Sequence, residues 1–135
     1  HEDGGWGWWK EDGNHPFMTA YALWGLDEAR RAGVKVDTGR IENGARELAH
    51  LYAQYPRVEP DLKAYEAYVL QRAAADSATI AWFAENANGT YSHEAARREL
   101  WDMRSRMSAY GRSLLLLLLD RALEAAVARA ALAGD

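Results

Sequence analysis

An alanine–tyrosine pair occurs three times in the chain, each time near the start of an apolar segment. The tyrosines of these pairs are Tyr21, Tyr65 and Tyr110, so consecutive pairs are 44 and 45 residues apart. A period of about 20–50 residues is typical of repeat architectures, and this one accommodates two helices of about 15–18 residues with their connections. The spacing therefore predicts about three helical hairpins that bury their apolar sides against one another.

The composition favours helices over strands. Alanine, the strongest helix former, makes up about a fifth of the 135 residues, and the three prolines lie at segment boundaries. With 49% hydrophobic and 27% charged residues, the chain has enough apolar surface to form a packed core. We therefore expect one all-α domain over residues 1–135.

Proline, glycine and capping residues mark the ends of the predicted helices. The predicted helices run from Pro16 to just before Gly33, from Asp37 or Thr38 to about Tyr55 with a stop at Pro56, from Pro60 to the polar break at Asp76-Ser77, and onward from the capping residues Ser92 and Ser108. Between the third and fourth helices, a short apolar segment with Ile80, Trp82 and Phe83 is followed by a predicted loop at 86–90.

The distribution of apolar residues divides these helices into two kinds. In the first and third helices apolar side chains surround much of the circumference, which predicts inner helices. In the second, Ile41, Ala45 and Leu48 form a narrow apolar stripe opposite a polar side, which predicts an outer helix. The leucine run at 114–119 is much shorter than the ~20 residues that cross a bilayer, so it is predicted to be a buried helix segment.

Missing residue types exclude or disfavour several classes of function. The chain has no cysteine, which excludes disulfides, thiolate metal sites and a cysteine nucleophile within these residues. Its net charge of -4 disfavours nucleic-acid binding, which depends on neutralising phosphates. The four histidines are scattered, and no serine lies in a Gly-x-Ser-x-Gly motif. We therefore expect no catalytic residue, no cofactor and no metal site.

A glycine–tryptophan run lies near the start of the chain. Residues 3–9 read Asp-Gly-Gly-Trp-Gly-Trp-Trp, and after a short polar loop residues 15–21 read His-Pro-Phe-Met-Thr-Ala-Tyr. This pattern resembles the bacterial α2-macroglobulin family, in particular its thioester domain, which is a toroid of α-helical hairpins. The segments at 60–65 and 107–111 are similar to successive repeat openings of that domain. The resemblance implies an all-α chain of helical-hairpin repeats that forms part of an α/α toroid.

The resemblance also implies a function. Proteins of this family trap proteases after a bait region is cleaved, and many carry a Cys-Gly-Glu-Gln thioester motif that acylates the attacker. This chain lacks the motif, which in the family lies upstream of the glycine–tryptophan run. We therefore expect a non-catalytic scaffold segment, about half a toroid, of a protease-trapping or envelope-defence protein. The resemblance places it in the periplasm or outside the cell, although residues 1–5 show no signal-peptide pattern.

The resemblance and the repeat both indicate protein partners. By resemblance, the partners are other domains of the parent protein and proteases. Hairpin repeats bury their sides against neighbours, and the leucine-rich last helix has no evident polar cap, so we also expect self-association. No nucleic-acid partner and no transmembrane segment are expected.

Aromatic residues are the candidate interface or cavity-lining residues. The candidates are Trp6, Trp8, Trp9, Tyr21, Trp24, Tyr65 and Tyr110. Three tryptophans within four positions are difficult to bury together, so at least one is expected at a surface where another domain docks. The repeated tyrosines have two interpretations, a ligand pocket along a toroid axis or core packing, and core packing is favoured.

Two other classes of function remain as alternatives. Terpene cyclases and protein prenyltransferases are also α/α toroids with similar glycine–tryptophan turns, and a carbohydrate-active enzyme would pair carboxylates among Glu2, Asp3, Glu11 and Asp12 with aromatic platforms. Such an enzyme requires a deep cavity with at least two convergent acids. The third interpretation is a free-standing helical interaction module.

Overall fold

A computed structural model describes residues 1–55, 59–75, 79–84 and 87–133. Its elements, in chain order, are α1 (Pro16–Arg31), α2 (Thr38–Gln54), α3 (Pro60–Ala73), β1 (Thr79–Ala84), β2 (Ala87–Ser92), α4 (His93–Asp102) and α5 (Ala109–Ala133), with a short 3₁₀ turn at Arg104–Arg106. Helices dominate these ranges, which confirms the all-α class. None of the helices in the described part of the chain has the length and hydrophobicity that crossing a membrane requires.

The ends of α1 follow the predicted signals. Pro16 occupies the first helical position, where its missing N–H leaves no hydrogen bond unmade. At the other end Gly33 has a φ of +87°, a backbone conformation that favours glycine. The Gly33 amide donates to the Arg30 carbonyl at 3.1 Å and the Val34 amide to the Ala29 carbonyl at 3.0 Å. These two bonds satisfy carbonyls that the end of a helix otherwise leaves unpaired.

Side-chain caps begin α2 and α4 where they were predicted. The Asp37 carboxylate accepts a hydrogen bond from the Gly39 amide at 2.9 Å, and the Ser92 hydroxyl accepts one from the Ala95 amide at 3.0 Å. The last helix begins directly after Ser108, as predicted. Local capping chemistry therefore determines where these helices start.

The region between α3 and α4 contains a correction. Residues 87–90, predicted as loop, belong to β2, which pairs antiparallel with β1 so that Ile80 lies opposite Tyr91 and Trp82 opposite Gly89. Ile80 and Tyr91 are buried, and a Cβ on Gly89 would lie 2.3 Å from the Trp82 ring. The Trp82 ring thus occupies the space that a side chain at position 89 would need. Glycine is therefore required opposite Trp82 in this pair of strands. Asn86 of the loop, the stop at Pro56 and the break at Asp76-Ser77 lie outside the described residues.

The helices form an inner and an outer layer. Helix α3 packs against both α1 and α5, and these three form the inner layer. In the outer layer, α2 packs against α1, α3 and the hairpin, and α4 packs against α3 and α5. The structure thus places α1 and α3 in one layer and α2 in the other, but Phe17 and Tyr21 of α1 are exposed, whereas an inner helix was expected to bury its apolar residues. Where about three helix pairs are predicted, the described residues form two inner–outer pairs and the additional inner helix α5.

The inner helices lie side by side, and each contacts the next. The Phe17 ring of α1 lies 5.8 Å from the Tyr65 ring of α3. Between α3 and α5, the Asp61 carboxylate accepts hydrogen bonds from the Ser108 amide at 3.0 Å and from the Ser108 hydroxyl. Helices that carry successive alanine–tyrosine pairs are therefore neighbours in space.

One continuous hydrophobic cluster joins the two layers. Each α-helix contributes at least one fully or almost fully buried leucine, and the hairpin contributes two more core residues. These residues are Leu23, Leu48, Leu70, Leu100 and Leu118 from the helices, and Ile80 and Tyr91 from the strands. The predicted burial of the leucine run holds for Leu114, Leu115 and Leu118, whereas Leu116 and Leu117 are exposed.

Candidate functional site

Aromatic side chains on the inner helices form a shared surface, which we name the aromatic face. Phe17, Tyr21 and Trp24 of α1 lie in sequence along it, with ring centroids 6.1 and 6.3 Å apart for the two neighbouring pairs. Tyr65 of α3 and Tyr110 of α5 continue the face across the layer. The three tyrosines occupy equivalent positions in the sequence repeat, so the repeat places all three on the same surface.

The aromatic face is open to solvent, which corrects the favoured interpretation of its tyrosines. Tyr21 is 54% exposed and Tyr110 is 58% exposed, so core packing is wrong for both, and Tyr65 is half-buried. The reason is the helical period: the alanine that precedes each tyrosine lies about 100° around the helix, and Ala20 and Ala64 are fully buried. The buried alanines turn Tyr21 and Tyr65 away from the core.

The Tyr65 hydroxyl of this face stays neutral at physiological pH. Burial, followed by the proximity of Tyr110, Tyr21 and Tyr68, raises the pKa of Tyr65 to about 12. A neutral phenol can donate and accept hydrogen bonds but is a poor general base. The face is therefore suited to packing against another apolar or aromatic surface, since aromatic residues are enriched where proteins associate.

The tryptophans of the N-terminal segment separate into two groups. Trp6 is half-buried, and its ring approaches within 3.1 Å of the position that a Cβ on Gly44 of α2 would occupy. Its amide donates to the Thr19 hydroxyl at 3.0 Å, and that hydroxyl donates back to the Trp6 carbonyl. Trp8 and Trp9 are exposed, which confirms that at least one tryptophan of the cluster lies at the surface.

The glycines before Trp6 allow a tight turn against α2. Gly4 has a φ of +95°, and a Cβ there would lie 2.5 Å from the Asn43 backbone. The Asp3 carboxylate holds this turn by accepting hydrogen bonds from the Gly5 amide at 3.0 Å and the Asn14 side chain at 2.7 Å. Asp3, one of the four acids considered for a glycosidase pair, therefore has both oxygens engaged in shaping the loop.

A cluster of charged and phenolic side chains lies buried between α2, α3 and α4. The Lys63 ammonium donates to the Glu99 carboxylate at 2.5 Å and lies 4.3 Å from the centre of the Tyr52 ring. The Tyr52 hydroxyl donates to the other Glu99 oxygen at 3.3 Å. Burial raises the pKa values of Tyr52 and Tyr91, so both phenols are neutral. Lys63 thus has one ionic partner and one aromatic partner.

Glu66 lies in the same region and has no exposed surface. Neither of its carboxylate oxygens makes a hydrogen bond within the described residues. Burial raises its pKa from 4.5 to about 8, while Lys63 acts in the opposite direction and Glu99 adds to the rise. Sequence reasoning missed Lys63 and Glu66; the available signal was their spacing of three residues on a helix predicted to be inner.

A second charged group missed by the sequence analysis joins the last turns of α1 and α3. The buried Asp27 carboxylate accepts hydrogen bonds from Arg30 and from Arg31, the latter at 2.8 Å. Arg72 of α3 donates to Glu28, and its carbonyl accepts a hydrogen bond from Arg31 at 3.2 Å. These arginines lie at the C-terminal ends of the helices, where backbone carbonyls are unpaired and the helix dipole favours positive charge. They therefore have a structural role.

The described residues contain no group of three or more histidine, aspartate or glutamate side chains that could hold a metal ion. Comparison of this chain with protein-family models, with curated proteins and with solved structures found no match. The aromatic face, with Trp8 and Trp9 as a second exposed group, is the candidate functional surface.

Proposed function

We propose that this chain is a non-catalytic scaffold segment of an α/α toroid in an α2-macroglobulin-like protein. In this proposal the parent protein acts in protease capture or envelope defence, in the periplasm or outside the cell. The inner helices provide part of the toroid, and the exposed aromatic residues contact neighbouring domains of the parent protein. The reactive thioester, in a parent that has one, belongs to another segment.

The observation that carries this proposal is the matching placement of the repeated helices. Helix α3 packs against α1 on one side and against α5 on the other, and these three helices carry the alanine–tyrosine pairs that are 44 and 45 residues apart. A layer of inner helices with a second layer outside it is the arrangement from which an α/α toroid is built. The resemblance of residues 3–21 to the family then connects the architecture with protease trapping.

The aromatic face supports a binding role over a chemical one. The Tyr65 hydroxyl is neutral, and several rings of the face are exposed to solvent. Large, rigid aromatic side chains provide much contact area while losing little conformational entropy on binding. The face therefore has the character of a contact surface between domains.

Protease capture can be tested on the full-length protein that contains this chain. It is incubated with trypsin, and the mixture is assayed with a short peptide substrate and with a large protein substrate. A trapped protease should remain with the full-length protein, hydrolyse the peptide and spare the large substrate. A protease that stays separate and digests both substrates at the rate of free enzyme would overturn the proposal.

A pair of variants tests the role of the aromatic face in the same assay. Tyr21→Ala with Tyr110→Ala removes exposed rings from the face, whereas Trp101→Ala removes an exposed ring of α4, outside the candidate surface, and is the matched control. We expect the double variant to lose shielding of the large substrate and the control to retain it. Equal shielding by both variants would remove the aromatic face from the proposal.

A further inference from the structure

A cavity of about 660 Å³ lies where the last turns of α1 and α3 meet the first half of α2 and the start of β1. Its volume falls within the range of small-molecule binding sites, about 300–1,000 Å³. The described residues that line it lie between positions 30 and 81. The cavity therefore belongs to the middle of the chain and is enclosed by elements that pack against one another.

Four arginines from three helices line this cavity, which we name the arginine cavity. They are Arg30, Arg31, Arg46 and Arg72. Glu42 is the single acidic residue among the described residues of its wall. Apart from Thr38, the other described lining residues are alanines and isoleucines. The wall thus combines guanidinium groups with an apolar surface.

A carboxylate outside the cavity wall holds two of these arginines in place. The Asp27 side chain is 1% exposed and accepts hydrogen bonds from Arg30 and from Arg31. Arg72 is held in the same way by Glu28, which also does not line the cavity. Side chains that are already fixed lose less conformational entropy when a ligand binds, so these guanidinium groups are preorganised.

The arginines retain hydrogen-bond donors for a ligand. A guanidinium group has five N–H donors. Within the described residues, Arg30 donates to Asp27, Arg46 donates to Asn43 at 3.0 Å, and Arg31 also donates to the Arg72 carbonyl at 3.2 Å. Most N–H groups of the three exposed arginines therefore have no partner in the described part of the chain. Their planar donor pairs match the oxygens of phosphate.

The charge around the cavity differs from that of the whole chain. The chain has a net charge of -4. At the cavity the four arginines outnumber the carboxylates of Asp27, Glu28 and Glu42, and only the last of these faces the cavity. This local excess of positive charge attracts anions.

We propose that the arginine cavity binds a small phosphorylated molecule through its phosphate groups. In this site the guanidinium groups donate hydrogen bonds to the phosphate oxygens, and the isoleucine and alanine side chains contact the remainder of the ligand. The inference goes beyond the proposed scaffold function and does not depend on protease capture.

Isothermal titration calorimetry with sodium pyrophosphate provides the measurement, at about 50 mM salt to limit screening. The unmodified chain should bind pyrophosphate saturably at one site. Arg30→Gln with Arg46→Gln should weaken this binding at least tenfold, because each charge-assisted hydrogen bond contributes about a factor of ten. Arg98→Gln with Arg106→Gln is the matched control, since it removes the same charge at two exposed positions outside the cavity. Its affinity should equal that of the unmodified chain.

A third variant separates loss of binding from loss of folding. Glu42→Gln removes the carboxylate that faces the cavity and should tighten pyrophosphate binding about two- to fivefold, because a like charge near the ligand is gone. A damaged fold would weaken binding instead. Circular dichroism shows whether each variant remains helical, and Arg46→Gln alone repeats the test without altering the contacts of Asp27.

Three results would overturn the inference. The first is an unmodified chain that shows no saturable binding of pyrophosphate up to millimolar concentrations. The second is a control variant that loses as much affinity as the cavity variant, which would indicate attraction by general charge. The third is a folded Glu42→Gln variant that binds no more tightly than the unmodified chain. Each of these results leaves the protease-capture assay unaffected, so the two proposals can fail separately.

Discussion

Glu66 is an ionisable residue at a position of α3 where burial favours an apolar side chain. It lies on α3 among apolar residues and has no exposed surface. Because the charged form of a buried carboxyl is poorly solvated, its pKa rises from 4.5 to about 8, and it is largely protonated at neutral pH. A protonated carboxyl is tolerated in the core at a smaller free-energy cost than a carboxylate.

This raised pKa predicts a pH dependence of stability. Below pH 4.5 Glu66 is protonated in both the folded and the unfolded chain, so its contribution is fully present there. Between pH 4.5 and about 8 the unfolded chain has lost the proton and the folded chain retains it, so stability falls as pH rises. The largest expected slope is about 1.4 kcal/mol per pH unit.

Urea unfolding of the chain and of Glu66→Gln over this pH range measures the effect. The glutamine variant has a similar shape and does not titrate, so the difference in unfolding free energy should grow in favour of the variant until about pH 8 and then level off. Parallel pH profiles for the two proteins would contradict a raised pKa at Glu66.

The buried lysine leads to a second prediction at this scale. Glu99→Gln should destabilise the fold by about 2–3 kcal/mol, because the buried Lys63 ammonium then loses the carboxylate to which it donates a hydrogen bond. Adding Lys63→Met should recover most of the loss, since the buried charge is then gone. Thermal unfolding of the two single variants and the double variant forms a complete cycle. Additive losses in the double variant would show that the two residues are not coupled.

At the scale of elements, the contact between α3 and α5 depends on a missing side chain. A Cβ on Gly111 would lie 2.2 Å from the Asp61 carboxylate and 3.2 Å from its Cα. Asp61 in turn accepts hydrogen bonds from the amide and the hydroxyl of Ser108 at the start of α5. Glycine is therefore required here for close approach of the two helices, although its φ is ordinary.

A matched pair of glycine substitutions tests this close approach. In a helix interior glycine is about 1 kcal/mol less favourable than alanine, so Gly25→Ala, with nothing near its Cβ position, should stabilise α1 by about 0.5–1 kcal/mol. Gly111→Ala should instead destabilise the chain by about 1–3 kcal/mol, because the methyl group displaces Asp61. Urea unfolding of both variants and of the unmodified chain measures the two changes. A stabilised Gly111→Ala variant would mean that α3 and α5 are farther apart than described.

The elements also show where local sequence signals were sufficient. Gly33, Asp37 and Ser92 act through hydrogen bonds within a few residues and Pro16 through its own fixed φ, so the helix ends that they mark were predictable from the sequence. The β-hairpin was not, because asparagine and glycine are uncommon in strands and indicate a loop. Burial of Ile80 and Tyr91 against the helices decides between the two.

At the scale of the whole molecule, the candidate site is formed by several elements together, because no single element contains it. The sequence predicted that the repeated tyrosines would share one environment, and they do share the inner layer. It did not predict their exposure, since Tyr21 and Tyr110 carry large apolar rings that are also common in cores. The rings of Tyr21 and Tyr65 point away from the core because the preceding residues, Ala20 and Ala64, are buried in it.

The sequence by itself determined the helical class, the repeat period and most helix ends of this protein. These properties depend on interactions between residues close in the chain, which are strong enough to be read from residue types and spacing. The tertiary structure decided the hairpin, the burial of Lys63 and Glu66, and the exposure of the aromatic face. Those features depend on contacts between residues distant in sequence, and the free energy of burial at each position is set by which distant neighbours cover it.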